Sequence, residues 1–106
     1  MTEGSPLRIL IVDDEPLAVE RMQILLARME AVNLLATGND GEAGVRLAEA
    51  LSPDVVLLDI AMPGMDGIDV ARALARMERP PAIIFVTAFD SFAVAAFDVD
   101  AVDYLM

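Results

Sequence analysis

The sequence predicts an α/β domain with a doubly wound, parallel five-stranded sheet. Short aliphatic runs, typical of strands buried on both faces, alternate along the chain with segments of helical periodicity. Three of these runs, residues 9–12, 55–58 and 83–86, contain no charged residue. Alternation of strands and helices favours right-handed crossovers between parallel strands. The 106 residues are enough for one domain, and no linker or repeat divides them.

The elements are expected in the order βαβαβαβαβ. The predicted strands cover residues 7–12, 32–37, 55–59, 82–87 and 102–106. Pro16 suits the first turn of the first helix. The later helices are predicted over residues 41–51, 68–77 and 91–98, and Asp40 and Asp66 stand where the first two of these need caps. We expect the second helix to turn these residues inward: Ala43, Leu47, Ala50 and Leu51.

The composition limits the chemistry that the chain can perform. It has no cysteine and no histidine, which removes thiolate ligands, the commonest general base and the commonest zinc ligand. A bound metal would have oxygen ligands, and these favour a hard cation such as Mg²⁺. Seven basic and eighteen acidic residues give a net charge of −11, which disfavours DNA binding by the chain itself. With no apolar stretch of membrane length and no signal-peptide pattern, we expect no membrane association and a cytoplasmic location.

Acidic residues follow two of the predicted strands. Asp13, Asp14 and Glu15 come after the first strand, and Asp59 ends the third. In the flavodoxin-like order 2-1-3-4-5 these strands are neighbours, so their carboxylates converge in one crevice. Three carboxylates about 5 Å apart repel by roughly 3 kcal/mol per pair at an effective dielectric constant near 20. A lone aspartate here would be a helix cap or a turn residue, but the combination favours a divalent cation that aligns a phosphoryl group.

In combination, these motifs resemble the receiver domain of bacterial two-component response regulators. The matching segments are residues 13–16, 59–67 and 87–88. Residues 89–97 and 103–105 are similar, more narrowly, to the LytTR (LytR/AlgR) class. The resemblance implies a signalling domain that assists its own phosphoryl transfer and dephosphorylation, not an enzyme acting on a separate substrate.

The resemblance also implies a role for each site residue. Asp59 would accept a phosphoryl group from the phosphohistidine of a sensor histidine kinase. Asp14 and Asp59 would bind Mg²⁺ directly, together with the backbone carbonyl of Ala61, and Asp13 would act mainly through water.

Two further residues would transmit the signal. Thr87 would be the switch hydroxyl that moves toward the phosphoryl oxygens. Tyr104 would be the coupled aromatic residue, which turns inward when Thr87 moves. Together they would bias an equilibrium between two states.

The sequence departs from the family pattern at its end. A lysine usually follows the fifth strand and a fifth helix usually covers one face of the sheet, but the chain stops at Met106. We therefore expect residues 1–106 to be a single, truncated receiver domain without the output domain, which in this class would bind DNA. The face left open would favour a homodimer or a swapped oligomer.

Three other functions share part of this pattern. A phosphatase of the haloacid dehalogenase type needs a second acid two residues after its nucleophile, where this chain has Ala61. A flavodoxin-like FMN protein would hold phosphate in the first loop, from which Asp13, Asp14 and Glu15 would repel it. The remaining alternative is a protein-interaction or dimerisation module that is not phosphorylated, which only the missing end supports.

Overall fold

The computed structural model describes residues 5–86 and a short strand over residues 103–105. The five strands of this part form one parallel sheet in the order β2-β1-β3-β4-β5. The α/β fold and the strand order predicted from the sequence are therefore confirmed. Among the described residues, no helix is both long enough and apolar enough to cross a membrane.

The elements agree with the predicted ones to within two residues at each end that can be compared. The strands are Leu7–Val12 (β1), Val32–Gly38 (β2), Val55–Leu58 (β3), Ala82–Val86 (β4) and Asp103–Leu105 (β5). The helices are Pro16–Ala27 (α1), Gly41–Leu51 (α2) and Gly67–Ala75 (α3). The helix predicted over residues 91–98 lies outside the described residues.

The core is centred on β1, β3 and β4. Residues 9–12 of β1 are all buried. Because successive strand residues point to opposite faces of a sheet, both faces of β1 are covered. Leu58 of β3 and Phe85 of β4, which are fully buried, pair with each other in register. Leu58 also pairs with Val12, so β1 and β3 end at the same level.

Both predicted N-terminal caps are present. The Asp40 side chain accepts a hydrogen bond from the backbone N–H of Ala43 at 2.7 Å. At the start of α3, Asp66 accepts from the N–H of Asp69 at 2.9 Å, and the Asp69 carboxylate accepts from the N–H of Asp66 at 3.3 Å. Such reciprocal capping satisfies backbone donors that the helix itself leaves free, and it fixes where α3 begins.

The expected inward face of α2 is wrong in one respect. Ala50 is exposed, whereas the buried residues of the helix are Gly41, Gly44 and Ala48. A Cβ added to Gly44 would lie only 2.7 Å from Cγ1 of Val12. The helix therefore lies too close to the sheet for large side chains. A prediction that relies on large apolar residues assigns the wrong residues to its buried face.

The C-terminal end of α2 is closed by a side chain from β1. The Arg8 guanidinium donates hydrogen bonds to the carbonyl oxygens of Leu51 and Ser52, both at 2.7 Å. Ser52 has a positive φ of 49°, the left-handed conformation in which helices often end. Arg8 thus donates hydrogen bonds to carbonyl groups that accept none from within the helix.

We expect Arg8→Met to lower the free energy of unfolding by about 1 kcal/mol, because it removes two charge-assisted but partly solvated hydrogen bonds. Urea denaturation followed by circular dichroism measures this difference. Arg46→Met removes an exposed arginine of α2, the helix whose end Arg8 caps, and serves as the control. Equal losses in the two variants would contradict a specific role for Arg8.

Candidate functional site

Three carboxylates meet at the carboxyl end of the central strands. Asp13 follows β1 and Asp59 follows β3, whose last residues pair with each other. One carboxylate oxygen from each of Asp13, Asp14 and Asp59 lies within 4.8 Å of the other two. The structure thus brings together the three acidic residues that the sequence pattern indicates.

Backbone hydrogen bonds hold the two strand ends in place. The N–H of Asp59 donates to the carbonyl oxygen of Val12 at 2.9 Å, and the N–H of Asp13 donates to that of Gly38 at 3.0 Å. The sheet ladder therefore continues one residue beyond the strands, as far as the site itself. Because these bonds join backbone atoms, the separation of the two aspartates is set by the sheet.

The three side chains differ in their exposure to solvent. Asp13 is buried, with 3% of its surface exposed, and its Oδ1 accepts a hydrogen bond from the N–H of Glu15 at 2.9 Å. Asp59 is half-buried, and its Oδ1 accepts from the N–H of Ala61 at 3.3 Å. Asp14 is exposed. The site is therefore closed on the side of Asp13 and open to solvent on the side of Asp14.

Burial and mutual repulsion raise the pKa values of two of these carboxyl groups. Burial, reinforced by the neighbouring charge of Asp13, raises the pKa of Asp59 to about 6. Burial also raises the pKa of Asp13, although the hydrogen bond from Glu15 opposes the change. The folded chain thus holds ionised carboxylates together at an electrostatic cost, which a bound cation would remove.

The donor set suits a hard divalent cation. Carboxylate oxygens are the ligands that Mg²⁺ prefers, and Mg²⁺ commonly keeps several waters in a partly open site. The open side at Asp14 leaves room for such waters or for an anionic ligand. The residues present therefore fit the Mg²⁺ that the sequence predicted.

The loop of residues 59–66, between β3 and α3, is anchored at both ends. Ile60 and Met62 are buried in the core, and the N–H of Gly67 donates to the carbonyl oxygen of Ile60 at 2.9 Å. Gly67 lies so close to Asp59 that an added Cβ would overlap the carbonyl group of Asp59. The start of α3 therefore presses directly on the backbone of Asp59.

Of the two predicted switch residues, Tyr104 lies among the described residues and Thr87 does not. Thr87 follows Val86, the last residue of β4, and lies outside the described residues. Tyr104 belongs to β5, where it pairs in register with Phe85. The structure thus gives the strand position of Tyr104, and the roles of both residues stay predictions.

Two glycines beside the site were not predicted from the sequence. Gly41 and Gly67 are the first residues of α2 and α3, and both are buried against the loop that follows β3. The available signal was the pair Asp-Gly, which occurs at both helix starts as Asp40-Gly41 and Asp66-Gly67. A glycine directly after a capping aspartate indicates close backbone approach as well as a turn.

Comparison with known proteins agrees with this geometry. Residues 9–106 match the model of the response regulator receiver domain. The chain is 50% identical over 101 residues to the positive alginate biosynthesis regulatory protein of Pseudomonas aeruginosa, a match that covers 94% of this chain and 41% of that protein. It is 41% identical over 99 residues to the sensory transduction protein LytT of Bacillus subtilis, covering 93% of this chain and 41% of the relative. The chain thus spans about two fifths of the length of these curated relatives.

Solved structures give the same result. The response regulatory domain of protein mrkE from Klebsiella pneumoniae has a TM-score of 0.86 at 29% identity, covering 94% of this chain and 82% of that one. A chain in the CheX–CheY–BeF₃–Mg²⁺ complex of Borrelia burgdorferi has a TM-score of 0.83 at 27% identity, covering 97% and 79%. The relatives also include proteins named LytT and LytR, which confirms the predicted LytTR class. This chain belongs to the receiver-domain family of two-component response regulators.

Proposed function

We propose that this chain is a phosphoacceptor domain in which Asp59 takes a phosphoryl group from the phosphohistidine of a sensor histidine kinase. The observation that carries the proposal is the position of Asp59 at the end of β3, within 4.8 Å of carboxylate oxygens of Asp13 and Asp14. Membership of a signalling family supports the same conclusion. The activity belongs to a signalling domain and not to an enzyme with a separate substrate.

The transfer is a single displacement at phosphorus. A carboxylate oxygen of Asp59 forms a bond to the phosphorus atom while the bond between phosphorus and the histidine nitrogen breaks. The bonding electrons leave with the imidazole, which takes up a proton from solvent, and Asp59 becomes an acyl phosphate. The ionised carboxylate is the nucleophile, and a pKa of about 6 leaves most of Asp59 ionised at pH 7.

Mg²⁺ supplies charge neutralisation at the phosphoryl oxygens when it is bound. Asp14 and Asp59 would hold it together with the carbonyl group of Ala61, and Asp13 would act mainly through water. The presence of BeF₃ and Mg²⁺ in the complex of the Borrelia burgdorferi relative supports this assignment. The cluster of three carboxylates supports it independently.

The signal would leave the site through Thr87 and Tyr104. Phe85, which lies two positions before Thr87 in the chain, pairs with Tyr104 on the neighbouring strand. A change at the end of β4 would therefore reach β5 directly.

Residues 1–106 would act as one receiver unit, and in a protein as long as the curated relatives this unit would control a further, DNA-binding domain. Self-association as a homodimer or swapped oligomer also stays a prediction, which light scattering over a concentration series tests.

The decisive experiment is the intact mass of the chain after treatment with acetyl phosphate, with and without Mg²⁺. The expected result is the addition of one phosphoryl group that requires Mg²⁺. Asp59→Asn should abolish the adduct because an amide is a poor nucleophile, and circular dichroism should show that the variant is folded. An adduct of equal yield in Asp59→Asn would contradict the assignment. No adduct on the folded wild-type chain would favour a protein-interaction module that is not phosphorylated.

A further inference from the structure

The first turn of α2 lies against the 59–66 loop without room for a side chain. Gly41 is buried, and a Cβ added to it would overlap the carbonyl oxygen of Met65 and lie 2.8 Å from the Cβ of that residue. The obstacle is backbone, which a change of rotamer cannot remove. Restoring ordinary van der Waals contact would require one of the two segments to move by about 1 Å.

The helix is held more firmly than the loop. One turn further along α2, Gly44 packs against Val12, and its backbone N–H group lies 3.2 Å from the position of a Cβ added to Gly38. The loop is anchored by buried residues near Asp59, but its part next to Gly41 is less enclosed: Pro63 and Gly64 are exposed, and Met65 is partly buried. A displacement caused at Gly41 should therefore fall on the loop.

The displaced end of the loop is close to Asp59. Gly67 lies only two residues beyond Met65, and its Cα is packed directly against the backbone carbonyl of Asp59. The N–H of Gly67 also donates a hydrogen bond to the carbonyl oxygen of Ile60, the residue after Asp59. A movement of Met65 reaches Asp59 by this short route and does not need to pass through the exposed part of the loop.

We infer that Gly41 is a positioning residue for the acidic site: by carrying no side chain, it lets the start of α2 hold the loop so that Asp59 stays near Asp13 and Asp14. The inference rests on the proposed function of Asp59. Functional groups must be held to within about 0.5 Å, and a misplacement of 1 Å lowers rates by on the order of 100-fold. For Gly41→Ala we therefore expect a loss on the order of 10-fold in Mg²⁺ affinity and in the rate of phosphorylation.

The test compares Gly41→Ala with the wild-type chain in two measurements. Titration with Mg²⁺, followed by backbone amide NMR signals, gives Kd without any phosphorylation. Intact-mass time courses with acetyl phosphate at saturating Mg²⁺ give the rate of adduct formation. We expect a higher Kd, a lower rate, and shifted amide signals for residues 59–67 in the metal-free variant. Met65→Gly removes the Cβ that faces Gly41 without creating a clash, so it should weaken Mg²⁺ binding in the same direction even where Gly41→Ala does not fold.

Two variants of the same helix are the controls. Ala50→Gly weakens the helix at an exposed position near its opposite end, and Glu42→Ala changes an exposed neighbour of Gly41. Both should keep the wild-type Kd for Mg²⁺, whatever stability they lose. Equal weakening in Ala50→Gly, or a wild-type Kd in both Gly41→Ala and Met65→Gly, would overturn the inference while leaving the function of Asp59 intact.

The two proposals fail in different ways. A wild-type chain that binds Mg²⁺ but forms no adduct would overturn the phosphoacceptor function, and the comparison of Kd values would still decide the role of Gly41. A wild-type chain that does not bind Mg²⁺ would overturn both.

Discussion

Replacing Asp13 with asparagine is expected to weaken Mg²⁺ binding by about 10- to 100-fold at pH 7. Losses of this size are typical of residues that contact a metal through its bound water or through its direct ligands. Asp13 is nearly isosteric with asparagine and is buried, so the substitution removes one negative charge from the closed side of the site with little change in shape. Because Asp13 is buried, water cannot replace the lost attraction between its carboxylate and the cation. Isothermal titration calorimetry measures the two dissociation constants.

The control for this prediction is a charge removed far from the site. Glu78→Gln eliminates one exposed negative charge beyond the C-terminal end of α3. At physiological salt this distant charge is largely screened, so its loss should leave the affinity for Mg²⁺ almost unchanged. Similar weakening in both variants would mean that the net charge of −11, and not the local position of Asp13, governs the binding of the cation.

The metal-free domain is expected to become more stable as the pH falls from 7 to 5. The pKa of Asp59 is raised to about 6 in the folded chain, compared with 3.8 in an unperturbed carboxyl group. The folded state therefore binds this proton more tightly than the unfolded state. Above pH 6 the ionised carboxylate of Asp59 destabilises the folded state. Protonation removes this destabilisation as the pH falls through 6. The gain in the free energy of unfolding is complete near pH 4, where the unfolded chain also binds the proton. Screening by solvent at this half-buried group reduces the effect to about 1–2 kcal/mol.

Asp59→Asn isolates this contribution. The variant should be more stable than the wild-type chain at pH 7, and the difference between the two should shrink toward pH 5. Urea denaturation at several pH values in the presence of a chelator measures the free energies of unfolding. A difference that stays constant between pH 7 and pH 5 would contradict the prediction. Saturating Mg²⁺ should reverse the trend in the wild-type chain, because the cation binds the ionised carboxylates and stabilises the folded state that binds it.

The fold was predictable because the strands need little context to be identified. Residues 9–12 and 55–58 are uncharged aliphatic runs, and such runs have few uses other than a strand covered on both faces. The acids that follow them were predictable for a related reason. Once two strands are neighbours, the residues after both of them must meet at the same edge of the sheet.

The contacts of the small residues could not be predicted in the same way. Which face of α2 is buried depends on how closely the helix approaches β1, and that distance is set by Gly44 meeting Val12 and not by any large apolar residue. The exposed position of Ala50 shows the resulting error. The role inferred for Gly41 likewise depends on a residue 24 positions away, Met65, which no local pattern connects to it.

The arginine bonds at the end of α2 have a consequence for how the domain opens. Arg8 precedes Leu51 and Ser52 by 43 and 44 positions, so the helix is completed only when a distant strand is already in place. The other end of α2 adjoins the loop that carries Asp59. Local opening of α2 would therefore involve β1 at one end and the acidic site at the other, which makes the three parts one cooperative unit in amide hydrogen exchange.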